Sequence, residues 1–547
     1  MRGTGLGYPC FRPRAGAVPA TAPPRARLQP RPVRAGARTA EWEERELDAN
    51  ARGAAEGTPP DPGAPPGALA GGRPLVDPPA GVLPPPRRAA LPAPVPLRSM
   101  IGPGVILAGL SIGSGEFVLW PRITAEYGLV LFWGCVAGVT FQFFLNMEIE
   151  RYTLATGESA VTGFVRLGAG FAPLFLVLGL LPWIWPGWAS GAGTLLAMEV
   201  GGDPTALAVA GLVACGAILT LSPVVYRSVE WLQFALVGSI FTLAVWLAFE
   251  LVDAEALRAL AVGALRFGRV PEGIDLPLLL GALAFAGAGG TVNLAQSNYV
   301  KDKGYGMGGL VGRLTSPFTG RAEPASEVGF VFHGTAEEVE RFRVWWWRAN
   351  VEHALSFFLL CLLSLALFCL FAWELLPRGG PVPEGFGFLA AEATALEARF
   401  GAAGRHLFLW AGVAVLLSTE LALLDAVSRV AADLLRAGPL RGRAGPGLPV
   451  LYAMVVWGLV LFGAVVLAAG FQEPLLLLIT SAALNGGVMF LYGGLLLWLN
   501  LRTFRGPLRP SPLRRLALGL AVALYGVVAV VTLVDRIAAW LGDGAAA

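Results

Sequence analysis

From residue 100 onward, apolar runs of about twenty residues alternate with short polar loops, and such runs read as membrane-spanning helices. The expected spans are 100–127, 129–154, 171–198, 204–222, 228–252, 276–300, 344–376, 405–436, 449–470, 473–500 and 513–541. The chain is thus expected to be an all-α polytopic membrane protein of about eleven helices. Two spans are interrupted. In 100–127 the apolar pattern breaks at Gly113-Ser114-Gly115-Glu116, and in 276–300 at Ala286-Gly287-Ala288-Gly289-Gly290-Thr291-Val292-Asn293. Glycine and serine weaken a helix. A carboxylate at membrane depth costs about 2.5–3.5 kcal/mol on insertion scales, so Glu116 is not expected to face lipid.

The breaks fall in the first and sixth spans, five helices apart. That placement suits an inverted repeat of 5+5 helices, about 100–252 and 276–500, with an extra C-terminal helix at about 513–541. In such folds the broken helices cross at a substrate site near mid-bilayer. Close packing through small residues is the competing explanation for either glycine run alone.

Residues 1–97 follow a different pattern. They are rich in Pro, Ala, Gly and Arg, with an acidic patch at Glu41-Trp42-Glu43-Glu44, and lack the large apolar residues of a core. The expectation is a disordered cytoplasmic tail before a transporter domain at 98–547. A mis-assigned start, with Met100 directly before the first span, and a mitochondrial transit peptide remain open; the many prolines oppose the amphipathic helix of the latter.

Composition agrees with the pattern. Of 547 residues, 55% are hydrophobic and 14% charged, against about 25% charged in soluble domains. The net charge of +3 is uninformative; its distribution is not. With the N-terminus in the cytoplasm, Arg151, Arg166, Arg227, Lys301, Lys303, Arg313, Arg321, Arg341, Arg343, Arg436, Arg441, Arg443, Arg502, Arg505, Arg509, Arg514 and Arg515 fall in inside loops. Glu199, Asp203, Asp253, Glu255, Asp275, Glu384, Glu392 and Glu473 then lie outside. This positive-inside bias puts the C-terminus on the opposite side, in what is expected to be the cell membrane. The Trp183, Trp185, Trp188 group and Trp345-Trp346-Trp347 read as interfacial belts. The cysteines form no CxxC pair, and no HExxH, P-loop or GxSxG motif is present. An enzyme, a resident cofactor and a nucleic-acid partner are therefore not expected.

Certain residues carry a family resemblance. Gly102-Pro103-Gly104, eight residues, a break and Phe117, then Ala155-Thr156-Gly157, resemble the Nramp metal-ion transporters. Their first helix reads GPG, eight residues, DPGN and Phe. Gly290-Thr291-Val292-Asn293-Leu294 falls where that family carries MPHN-Leu. The resemblance covers 100–541. It implies an Nramp-related branch of the APC superfamily, a LeuT-like fold and transport by alternating access. The family's metal ligands do not carry over intact: Gly113 stands at the Asp position, Glu116 at the Asn and Gly290 at the Met, and only Asn293 is retained.

The expected substrate or ion site is therefore Gly113, Glu116, Gly290, Asn293 and Gln296, with Glu116 and Asn293 as metal ligands. Helix carbonyls freed at the breaks suit a cation. Without the soft thioether, a hard ion with oxygen ligands, such as Mg²⁺ or Mn²⁺, is favoured. Ser111 and Thr291 offer hydroxyls, and Asn485 is a candidate for the pathway or for packing. Glu420, Glu352 and His353 are candidates for a proton pathway, the last two alternatively a mutually satisfied polar pair. Asp425 and Arg429, spaced i, i+4, are expected to form an ion pair. The function expected is symport of a cation, a divalent metal first, with proton coupling. A small organic substrate such as an amino acid or amine is the alternative, and a non-transporting membrane sensor the alternative of another class.

Overall fold

A computed structural model describes residues 74–222, 224–319, 328–377 and 382–544. The acidic patch, the rest of 1–73 and Arg321 lie outside them. The architecture is helical, and the segments expected to span are helical with few departures. The first runs as α1 (Pro103–Ser111), a π-helical stretch (Ile112–Leu119) and α2 (Trp120–Tyr127). Then come α3 (Phe132–Thr156), α4 (Ala160–Leu167), α5 (Phe171–Leu180), α6 (Gly187–Val200), α7 (Pro204–Leu221), α8 (Val225–Leu251) and α9 (Ala254–Leu265). The sixth expected span is split into α10 (Leu276–Ala284), a 3₁₀ stretch (Gly290–Ala295) and α11 (Gln296–Lys303). The chain closes with α12 (Ala336–His353), a π-helical stretch (Ala354–Leu359), α13 (Leu360–Leu375), α14 (Gly387–Phe400), α15 (Ala402–Ala437), α16 (Leu448–Ala468), α17 (Pro474–Thr503) and α18 (Pro512–Gly544).

Among the described residues nine helices are long and apolar enough to cross a membrane. The protein is an integral, multi-pass membrane protein. Polar signals set several helix ends. Asp203 caps α7 by accepting from the N–H groups of Thr205 and Ala206, with Pro204 at the first helical position. Thr335 and Glu338 form a capping box at α12, which therefore starts ahead of the apolar run predicted from 344. α15 runs through the middle and packs on α1, α6, α7, α14, α16, the first π-helical stretch and the 3₁₀ turn.

Two expectations need correcting. First, 100–127 is not unwound. Its glycines are absorbed in a π-helical stretch that keeps the ladder closed on both sides, the Trp120 N–H donating to the Gly115 carbonyl. Such π-bulges recur at functional sites. Second, residues 74–97 are not a free tail. Leu75, Val76 and Leu91 are buried. β1 (Arg87–Arg88) pairs in parallel with β2 (Phe330–Val331). The proline-rich stretch has few N–H groups of its own, so side chains of α12 meet its carbonyls. Trp345 donates to Pro92 (3.0 Å), Arg341 to Leu91 (3.2 Å), and Arg348 to Pro94 (2.9 Å) and Val95 (2.5 Å).

Candidate functional site

The first and sixth segments meet where their patterns are interrupted. A Cβ at Gly115 would overlap the carbonyl of Phe285, where α10 ends, and one at Gly113 would overlap Thr419 of α15. Only glycine allows this approach. The chain then leaves the helix over 285–289, and Gly289 and Gly290 take φ of 73° and 55°, the left-handed region. Side chains from α3, α17 and the 3₁₀ turn at Leu181–Trp183 supply donors and acceptors around the opened backbone. Gln142 of α3 accepts from the Gly289 N–H (2.9 Å) and donates to the Ala284 carbonyl (2.8 Å). Asn485 of α17 accepts from the Thr291 N–H (3.4 Å), with its side chain where a Cβ at Gly290 would stand. Trp183 donates to Thr291 Oγ1 (2.8 Å) and stacks on Phe285. Asn293 donates to the Tyr492 hydroxyl (3.0 Å) and to Gln142 (3.4 Å). Asn293 Oδ1, fully buried, has no partner among the described residues.

Glu116 is also fully buried. The Ser111 hydroxyl donates to its Oε1 (2.5 Å), and that of Ser364, on α13, to its Oε2. Glu116 therefore lies against α13 and Asn293 against α3 and α17. The two share no hydrogen-bond partner, which departs from a single shell built on both. The physical reason is rotation along the first segment. Gly115 faces Phe285, and the next residue projects roughly a quarter to a third of a turn further round.

Gln296 is buried and donates to Glu150 Oε2 (3.0 Å) on α3. Glu352 accepts from the N–H groups of Gly102 (3.3 Å) and Gly104 (3.2 Å) and from Ser356 (2.8 Å), closing the start of α1. His353 lies between Phe143 and Phe357 with both ring nitrogens unpartnered among the described residues. Glu352 and His353 are thus not a mutually satisfied pair. Glu420 is buried against the backbone of Ala189. The Asp425–Arg429 pair is present (2.8 Å), and Asp302 of α11 joins it (2.5 Å), with Tyr452 donating to Asp425 (2.7 Å).

With this geometry in view, the fold can be compared with solved ones. No family model matches the chain, and no curated protein matches its sequence. The manganese transporter of Eremococcus coleocola, in a histidine-to-alanine mutant form, superposes with TM-score 0.62 at 13% identity, over 84% of this chain and 91% of that one. The same transporter in complex with an aromatic bis-isothiourea compound gives TM-score 0.59 at 13% identity and the same coverage. The fold is LeuT-like. Mhp1, a nucleobase-cation-symport-1 family transporter in a closed conformation with bromovinylhydantoin bound, superposes at TM-score 0.49, with 14% identity over 84% of this chain and 93% of that one.

Tertiary structure adds Gln142, Trp183 and Tyr492 to the residues named from sequence. Trp183 and Trp188 are not an interfacial belt, since both are buried with their rings against each other and against Phe285 beside the break. Gln142 had a legible signal: with Asn146 and Glu150 it forms an i, i+4, i+8 polar stripe along α3. Trp183 and Tyr492 had none, because their partners lie far along the chain.

Proposed function

We propose that this protein is a secondary transporter that moves a cation, a divalent metal ion first, by alternating access between its first and sixth segments. The observation that carries the reading is the interrupted sixth segment, with the buried, half-satisfied Asn293 beside it and the π-helical first segment crossing it. Irregular backbone at membrane depth is tolerated where it is buried in protein or lines a pathway. Glu116 takes up positive charge, from the transported ion or from a coupled proton, and Asn293 offers its free oxygen on the other side of the crossing. Movement of the two segments against each other would bring them to one ion. We further infer eleven passes, arranged as 5+5 inverted helices plus α18, with the N-terminus cytoplasmic and the C-terminus opposite. The Nramp-related resemblance and the shared fold of the manganese transporter favour this reading.

An organic substrate needs room that the glycines do not leave. Gly113 abuts Thr419, Gly115 abuts Phe285, Gly289 abuts the Ala284 carbonyl and Gly290 abuts Asn485. A small ion fits this crossing better than an amino acid does. The test is uptake into proteoliposomes of Mn²⁺, Mg²⁺ and amino acids, with and without a pH gradient. Saturable divalent uptake lost in Glu116→Gln is expected. Amino-acid uptake that survives this change, or no uptake of any solute, would overturn the reading in favour of an organic substrate or a sensor.

A further inference from the structure

Beyond the crossing, the polar stripe on α3 continues toward the end of the molecule that carries Arg151, Lys301 and Arg348. Gln142 bonds Asn293 at one end of the stripe, and Glu150 bonds Gln296 at the other. Between them Asn146 is fully buried, with neither amide atom partnered among the described residues. Gln296 uses its Nε2 on Glu150 Oε2, so its Oε1, attached to the same carbon, lies beside that carboxyl. Gln296 Oε1, Glu150 Oε1 and Glu352 Oε2 have no partner among the described residues either.

These four side chains are fully or almost fully buried. Glu150 lies within reach of the charge on Glu352. The basic group whose charge reaches Glu352 is Lys303, and it is already held by Glu230 at 2.8 Å. A buried polar atom left without a partner costs about 1–3 kcal/mol, and a buried carboxylate without compensation costs more. The Asn146 amide and the free oxygens of Gln296, Glu150 and Glu352 are groups that one cation among them would satisfy. All of these free atoms are oxygens apart from the Asn146 nitrogen, and oxygen ligands suit a hard ion. Asn146 stands one helical turn from Glu150 on the same face, about 5–6 Å between Cβ atoms, within the span of one hydrated ion.

We propose that Asn146, Glu150, Gln296 and Glu352 form a second cation site, distinct from the Glu116–Asn293 crossing, that receives a hard divalent ion on its way to or from the basic end. As a route this rests on the cation-transport reading; as a binding site it stands without flux. Among the described residues no three His, Cys, Asp or Glu side chains converge on one point, so the ion is held by two carboxyls and amide oxygens and keeps part of its water.

The experiment is titration of Mn²⁺ alone into the purified full chain in nanodiscs, followed by calorimetry and by Mn²⁺ spin resonance. The parent is expected to bind at two classes of site. Glu150→Gln, close to isosteric, should abolish one class or weaken it by about tenfold or more, while leaving the class that Glu116→Gln removes. Asn146→Asp, which adds a third carboxylate, should tighten the Glu150-dependent class by about tenfold. The second variant keeps the test decisive if the first folds poorly. Binding unchanged in both variants overturns the proposal, as does a single class lost completely in Glu116→Gln. Mn²⁺ uptake with no Glu150-dependent binding would sink the second site and leave transport standing. Glu150-dependent binding without uptake would do the reverse.

Discussion

The crossing of the first and sixth segments can be tested with one methyl group. In Gly115→Ala the new Cβ overlaps the carbonyl oxygen of Phe285. That oxygen belongs to backbone, so no side-chain rotation relieves the clash. The segments must separate until the carbon–oxygen distance reaches about 3.3 Å. Alanine's helix propensity would by itself stabilise position 115 by about 0.8–1.0 kcal/mol. Overpacking of a closed core costs about 1–3 kcal/mol and should win. Gly179→Ala supplies the control. Position 179 is in α5, and a Cβ there meets nothing within 4 Å, so only the propensity gain remains. The assay is a fluorescence-detected thermal melt of both variants in the same detergent, with proteoliposome uptake alongside. Gly115→Ala should melt below the parent and lose uptake, and Gly179→Ala should melt at or above it. If Gly115→Ala melts like the parent and transports normally, the segments do not meet at Phe285 and the site geometry is wrong.

Other perturbations bear on the same structure. Trp183→Phe keeps the ring against Phe285 but removes the donor to Thr291 Oγ1, and should destabilise by about 1 kcal/mol in the same melt. Arg429→Leu leaves Asp302 and Asp425 buried with their shared cation gone; a loss of about 3–5 kcal/mol should appear as a collapse in the yield of monodisperse protein, and normal yield would contradict the buried network. Arg348→Ala removes the donor to the Pro94 and Val95 carbonyls, and limited proteolysis should cut within 82–96 faster than in the parent, with the helical body intact.

Much of this architecture was legible because a bilayer allows few solutions. A long apolar run can satisfy its backbone there only as a helix, so the helical segments could be read directly. The break at 285–289 was visible for a related reason: successive glycines followed by Thr291, Asn293 and Gln296 cannot continue an apolar helix. The Asp425–Arg429 pair followed from i, i+4 spacing alone.

What composition could not decide was how a weak helix resolves its weakness. Gly113 to Glu116 and Gly287 to Gly290 look alike as strings. One closed into a π-helical stretch whose glycines lie against Thr419 and Phe285, and the other opened where Gln142 and Asn485 supply bonds to its backbone. Side-chain direction was equally hidden. Glu116 faces Ser364, 248 positions away, and Trp183 faces Thr291, 108 positions away. Local periodicity fixes which residues share a helix face, but only the packing of distant helices decides what that face meets. The same holds for 74–97, which has no core of its own and gains order from the donors of α12. Sequence alone determined that this chain is a many-helix membrane protein with polar groups at two interruptions. Tertiary structure decided which of those groups meet, because hydrogen bonds and close contacts are made across the fold and not along the chain.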